Sequence, residues 1–209
     1  MGKVSTPTKK HPAVGCCGID CALCPRHHTN GTSRCPGCAG PDFFEEHPSC
    51  SILTCCLAAK GREACSDCDA FPCDRIAHWD RADSFVTHRN CLSNLRTIRE
   101  KGWAAFVAQQ KERLKLLESM LERYDDGRSK SFSCLSAALL PLWELEKTMA
   151  WMRDRDTPPD DRKRRANALR EAFVSAARGN NIELSYRKAR ERERFELRRQ
   201  AVAGDGLRE

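Results

Sequence analysis

Fourteen cysteines stand in this 209-residue chain, and thirteen of them fall between Cys16 and Cys91, with Cys134 alone outside. Their spacing is what could do chemistry. The string reads Cys17-x3-Cys21-x2-Cys24, Cys35-x2-Cys38, Cys50-x4-Cys55 with Cys56 adjacent, and Cys65-x2-Cys68-x4-Cys73. Two residues between cysteines let a tight turn aim both sulfurs at one ion, and Pro36-Gly37 is apt turn chemistry for it. Three such pairs in a short stretch read as metal ligands when thiols are kept reduced. Two zinc sites follow most simply: Cys21, Cys24, Cys35 and Cys38 in one, with Cys50, Cys55 or Cys56, Cys65 and Cys68 in the other. Cys17 and Cys73 then remain, to complete a third site with a non-cysteine ligand or to share a bridging sulfur. His27 and His28 are close enough in sequence to serve, although each alone reads as a solvated loop residue. Cys16, Cys91 and Cys134 fit buried thiols acting as small hydrophobes.

Four thiolates suit an iron–sulfur cluster as well as zinc, so an iron–sulfur redox protein or enzyme is the alternative reading. Cys17-x3-Cys21-x2-Cys24 also matches the cluster-binding triplet of radical enzymes that use S-adenosylmethionine. Those enzymes need a large α/β barrel, whereas helical patterns follow here. No glycine-rich phosphate loop, nucleophile elbow or HExxH motif occurs, and Cys56, Cys91 and Cys134 have no dedicated base partner in the sequence. The reading leans towards binding rather than turnover.

The elements that must position these thiols are mostly helical. Residues 1–15 form a flexible basic tail and 16–75 a cysteine-rich metal-binding module. A helical hairpin over 76–153 packs on that module, and 154–209 is a basic helical extension. Within the module a helix is predicted near Ser49 to Lys60, ended by Gly61, and Asp74 to Trp79 offers a turn or two. Thr87 is the expected N-cap of a helix reaching Lys101, stopped by Gly102. Trp103, Phe106, Val107, Gln110, Leu114, Leu117, Leu121 and Tyr124 recur at helical steps and need a partner stripe. Phe132, Leu135, Leu139, Leu142, Leu145, Met149 and Met152 supply one across the loop Asp125 to Lys130, with a kink or restart near Leu140 because Pro141 cannot continue a helix. Thr157-Pro158-Pro159 breaks the chain. Asp160 begins a helix stopped near Gly179-Asn180, and a last helix spans Ile182 to Ala203. Sustained strand alternation is lacking, apart from room for short hairpins among the cysteines.

Without its cysteines the chain keeps roughly a third of its residues for an apolar core, so structural metal is expected to compensate. No apolar run is long enough for a membrane span, and the polar start points to a reducing cytoplasm. The formal net charge is +7, but ten thiolates with two zinc ions would bring it to about +1. Arg162 to Arg165 and Arg187 to Arg199 keep nucleic acid open as a second alternative partner. The interleaved Glu183, Glu191, Glu193 and Glu196 favour a solvated helix instead. A protein partner is open as well.

Cys17-Gly18-Ile19-Asp20-Cys21 with Cys24-Pro25, Cys35-Pro36-Gly37-Cys38, and Cys65 to Cys73 together resemble the bacterial and archaeal family called domain of unknown function 3795, described as zinc-binding. The likeness extends through Asn94-Leu95-Arg96, Gly102-Trp103 and Asp126 to Phe132, over about residues 16–150. It implies a zinc-binding module and carries no known reaction, substrate or catalytic residue. Cys55-Cys56 stands where one ligand is expected, and the basic C-terminal extension falls outside the family core.

Overall fold

Gly102 interrupts the longest helix where the sequence places its stop. The computed structural model describes residues 8–41, 43, 50–155 and 161–188. Its helices are α1 (Ser51–Leu53, continuing as a π turn over Thr54–Ala59), α2 (Cys91–Tyr124), α3 (Lys130–Leu139), α4 (Leu142–Asp154) and α5 (Arg162–Gly179). Short 3-10 turns occupy Cys21–Leu23 and Cys65–Asp67. Among the described residues there is no strand, only an isolated antiparallel bridge between Val14 and Asp20. The mostly α expectation therefore holds. No helix of the described residues is long and apolar enough to cross a membrane.

Within α2, Gly102 takes φ 81° and ψ 164°, far from helical values, so the element is two helices meeting at a sharp bend. A Cβ added there would meet nothing within 4 Å. The backbone angles demand glycine, not the space. The expected cap is displaced: Asn90 precedes the first helical residue, while the Thr87 hydroxyl donates to Asp83 Oδ1 at 3.0 Å. The Thr87 oxygen accepts Arg89 N–H at 3.4 Å, ahead of the first helical residue, and so is not available to the N–H groups of the first turn.

The second half of α2 packs with α3, α4 and α5 around Leu117, Met120, Phe132, Leu145, Met149, Leu169 and Phe173, all buried. Each such aliphatic or aromatic side chain contributes about 1.5–3 kcal/mol. The loop to α3 is a pair of Asx turns, with Asp125 Oδ1 accepting from Gly127 N–H at 3.1 Å and Asp126 Oδ1 from Arg128 N–H at 3.0 Å. As expected, α3 ends at Leu139 and Pro141 stands before the first residue of α4. Asp161 caps α5 by accepting Arg164 N–H at 2.9 Å; Asp160 and Thr157-Pro158-Pro159 lie outside the described residues.

The last helix expected from Ile182 is a correction. Residues 182–188 are not helical, and the expectation for 189–203 lies outside the described residues. Ile182 and Leu184 pack on the helical core, while Arg89 Nη1 donates to Glu183 O at 2.5 Å and Arg89 Nη2 to Ser185 O. Carbonyls held by a distant guanidinium are not free for an i to i+4 ladder.

The cysteine-rich module has an apolar interior of its own. Ile52, Leu53, Ala64 and Ile76 bury together with Leu92 and Leu95 from the first half of α2, and with Cys16, Cys17 and Cys56. Thiols are part of this core rather than a replacement for it.

Candidate functional site

Local turns form at the cysteine pairs as their spacing predicts. Cys24 N–H donates to Cys21 O at 3.1 Å, and Cys68 N–H to Cys65 O at 3.1 Å. Asp67 Oδ2 accepts Ala64 N–H at 3.0 Å and tightens the second turn. Gly18, at φ 85°, closes a turn in which Gly15 N–H reaches Ile19 O at 2.7 Å and Gly18 N–H reaches Gly15 O at 2.8 Å. A Cβ on Gly18 would lie 2.2 Å from Cys91 O. Only glycine lets this turn sit on the start of α2, and that seat brings Cys17 to Cys91.

All fourteen cysteines are free thiols. Around the buried Lys9, whose ammonium donates to Val14 O at 2.5 Å and stands 3.8 Å from Cys16 Sγ, the Cys16 thiol faces Cys38 and Cys56. Cys56 in turn faces Cys65. For Cys16 the Cys38 contact lowers the pKa, but Cys56 and burial prevail and push it up to about 12. A second pair joins Cys17 and Cys91: the Cys91 thiol stabilises the Cys17 thiolate and holds its pKa below the ordinary thiol value, while the same contact drives Cys91 up.

The densest array lines a cleft of about 270 Å³ beside the π turn, formed by Cys55, Cys56, Cys65, Cys68 and Cys73 with Lys60, Arg62 and Arg75 at its edge. π turns often mark functional positions, and this one places half-buried Cys55 and buried Cys56 side by side. Cys68 receives the Lys60 ammonium at 3.4 Å; the Ala70 backbone N–H first, then Lys60, lower its pKa.

These groupings overlap the partition drawn from spacing in part. Of the first set, Cys21 lies near Cys24 and accepts the Cys38 backbone N–H, and Cys24 lies near Cys35, while Cys38 also faces Cys16. Of the second set, Cys55, Cys56, Cys65 and Cys68 share the cleft, joined by Cys73, which spacing left over; Cys50 lies towards Cys17 and Cys38 instead. His27 Nδ1 pairs with Cys35 O at 3.1 Å and His28 Nε2 with Ala22 O at 2.7 Å, so both rings serve loop hydrogen bonds. Cys134 is buried in the helical core as expected, its thiol pushed up to about 12 chiefly by burial. Cys16 and Cys91, read as inert hydrophobes, are buried but touch other thiols. Lys9 gave no sequence signal as a partner of the thiols, whereas Lys60 is among the cations expected to offset charge on the sites and stands against Cys68.

Among the described residues no group of three or more histidine, cysteine, aspartate or glutamate side chains is poised to hold a metal ion. The donor chemistry suits a soft ion, but the thiols stand as pairs and as a cleft lining rather than as a converged ligand set. Asp20, enclosed between the module and α2, has its carboxyl pushed up to about 6 by burial, partly offset by Gln110 and Arg113. Ser84 Oγ and His88 Nε2 stand 3.1 Å apart within the turn that also holds Val86 N–H on the Ser84 hydroxyl. Comparison with family models, with curated proteins and with solved structures finds no match to this chain.

Proposed function

We propose that this chain is a metal-binding protein, with zinc as its ion, that acts by binding rather than by turnover. The observation that supports the reading is the cleft lined by Cys55, Cys56, Cys65, Cys68 and Cys73. Five reduced sulfurs drawn from the π turn, a 3-10 turn and the loop after it exceed what packing asks of small hydrophobes. Zinc takes four of them as thiolates at about 2.3 Å, so loading draws the sulfurs together and releases protons. Lys60, Arg62 and Arg75 offset the resulting negative charge. The same cysteine string carries the resemblance to a zinc-binding family, which is proposed on those residues alone.

Elemental analysis of protein purified without oxygen tests the reading. Stoichiometric zinc in a colourless sample is expected, with Cys68→Ser and Cys73→Ser each lowering the zinc content. A well-folded, fully reduced protein that takes up no ion overturns it, and a brown protein with cluster absorption replaces zinc by an iron–sulfur centre.

A further inference from the structure

The bend at Gly102 folds α2 into a crook whose two halves line a cleft of about 320 Å³, with Asp20 and the end of α3 completing its wall. That volume suits a small ligand. The first half of α2 contributes Asn90, Ser93, Asn94 and Thr97; the second contributes Gln110 and Arg113.

The amides of this lining are anchored through their nitrogens. Asn90 Nδ2 donates to Ala138 O at 2.6 Å and Asn94 Nδ2 to Gly18 O at 2.9 Å. Gln110 Nε2 donates to Ala13 O at 3.2 Å and to Asp20 Oδ1 at 2.7 Å. A backbone carbonyl can only accept, so these contacts decide which end of each amide is nitrogen. The three amide oxygens are left without a protein partner among the described residues. Asn90 stands at the cap position of α2 yet its side chain caps nothing, although an asparagine there ordinarily turns its oxygen to the helix N–H groups. The hydroxyls follow suit: Ser93 Oγ donates to Asn90 O at 3.0 Å and Thr97 Oγ1 to Ser93 O at 2.9 Å, which keeps their lone pairs available.

Arg113 is the cation of the lining, and its charge faces the Asp20 carboxylate. Its Nη1 donates to Ala137 O at 2.6 Å and Leu140 O at 2.8 Å, at the negative end of α3. What remains is a concave surface of amide and hydroxyl oxygens beside the Asp20–Arg113 pair. A hard metal ion would ask for more acidic ligands, and no such group is poised here among the described residues.

We propose that the crook binds a small organic molecule through a primary ammonium group, its N–H donors meeting the amide oxygens of Asn90, Asn94 and Gln110 and the Asp20 carboxylate. The site is independent of the thiol cleft and of its metal.

Titration of the ¹⁵N-labelled full chain with 1,4-diaminobutane tests this, beside the bis-trimethylammonium analogue, which has the same charge and no N–H. Saturable shifts confined to the side-chain amides of Asn90, Asn94 and Gln110 and to backbone amides 90–97 are expected, with the quaternary analogue at least about tenfold weaker. Thr97→Phe fills the cleft and is expected to weaken diamine binding by at least about tenfold. Ser93→Tyr, at an exposed position, repeats the test if Thr97→Phe lowers the Tm. Diamine binding weaker than about 1 mM, equal binding of both ligands, or unchanged binding in a folded cleft-filling variant overturns the proposal.

Discussion

Asp83 and Arg187 exchange hydrogen bonds across 104 residues of chain: Arg187 N–H donates to Asp83 Oδ2 at 2.7 Å, and Asp83 N–H donates to Arg187 O at 2.9 Å. The same carboxylate accepts His88 N–H at 2.8 Å, the Thr87 hydroxyl at 3.0 Å and Arg89 Nη2 at 3.3 Å. One buried side chain thus ties the approach to α2 to the segment that follows α5.

Burial by itself would raise the Asp83 carboxyl, but the Arg187 and His88 N–H groups, the Thr87 hydroxyl and Arg89 together hold it below the usual carboxylate range. A carboxyl depressed in the folded state contributes stability above its unfolded pKa and loses it as pH falls through the folded value. Asp83→Asn is expected to cost about 1–3 kcal/mol at neutral pH, and the gap from the wild type to close as pH falls through the depressed carboxyl pKa. Urea unfolding at several pH values measures this, and a gap that persists in acid would remove Asp83 as its source.

Gly102→Ala is expected to cost about 1–3 kcal/mol, because φ 81° with ψ 164° excludes a side chain even though no atom stands in its way. A bend that straightens to escape the strain separates Asn94 from Gln110. Thermal melts report the first effect. Loss of diamine binding in the folded variant reports the second.

Cys134→Ala should leave the zinc content of the protein unchanged, since this thiol is buried in the helical core, and should cost only about 1 kcal/mol in lost packing. Cys73→Ser, by contrast, should reduce zinc uptake with the helical core intact. Metal analysis of the two variants side by side, with near-UV circular dichroism for the helical core, separates ligand from filler.

Arg113→Met keeps the aliphatic stem but strips two carbonyls at the end of α3 of their donor. Loss of about 1–3 kcal/mol is expected, and hydrogen exchange should quicken first at the α3 to α4 junction. Arg113→Lys, with one compact charge in place of a fork, should recover only part of the loss.

Much of the helical half was readable in the chain itself. The stripe from Trp103 to Tyr124 announces a helix because apolar side chains at steps of three and four share one face. Gly102, Pro141 and Gly179-Asn180 mark its breaks because they act through a residue's own dihedral angles or missing N–H. The turns within Cys21 to Cys24 and Cys65 to Cys68 belong to the same class. Which thiols meet across the fold is another matter. Cys16 with Cys38 and Cys56, Cys17 with Cys91, and Cys73 with the π-turn pair depend on where distant turns come to rest. Those positions follow from contacts such as Gly18 against Cys91. The segment after Asn181 likewise forgoes a helix because Asp83 and Arg89, remote in sequence, hold its backbone. Local conformational preference is written residue by residue, whereas the partners of a sulfur or a carbonyl are chosen only when the chain has packed.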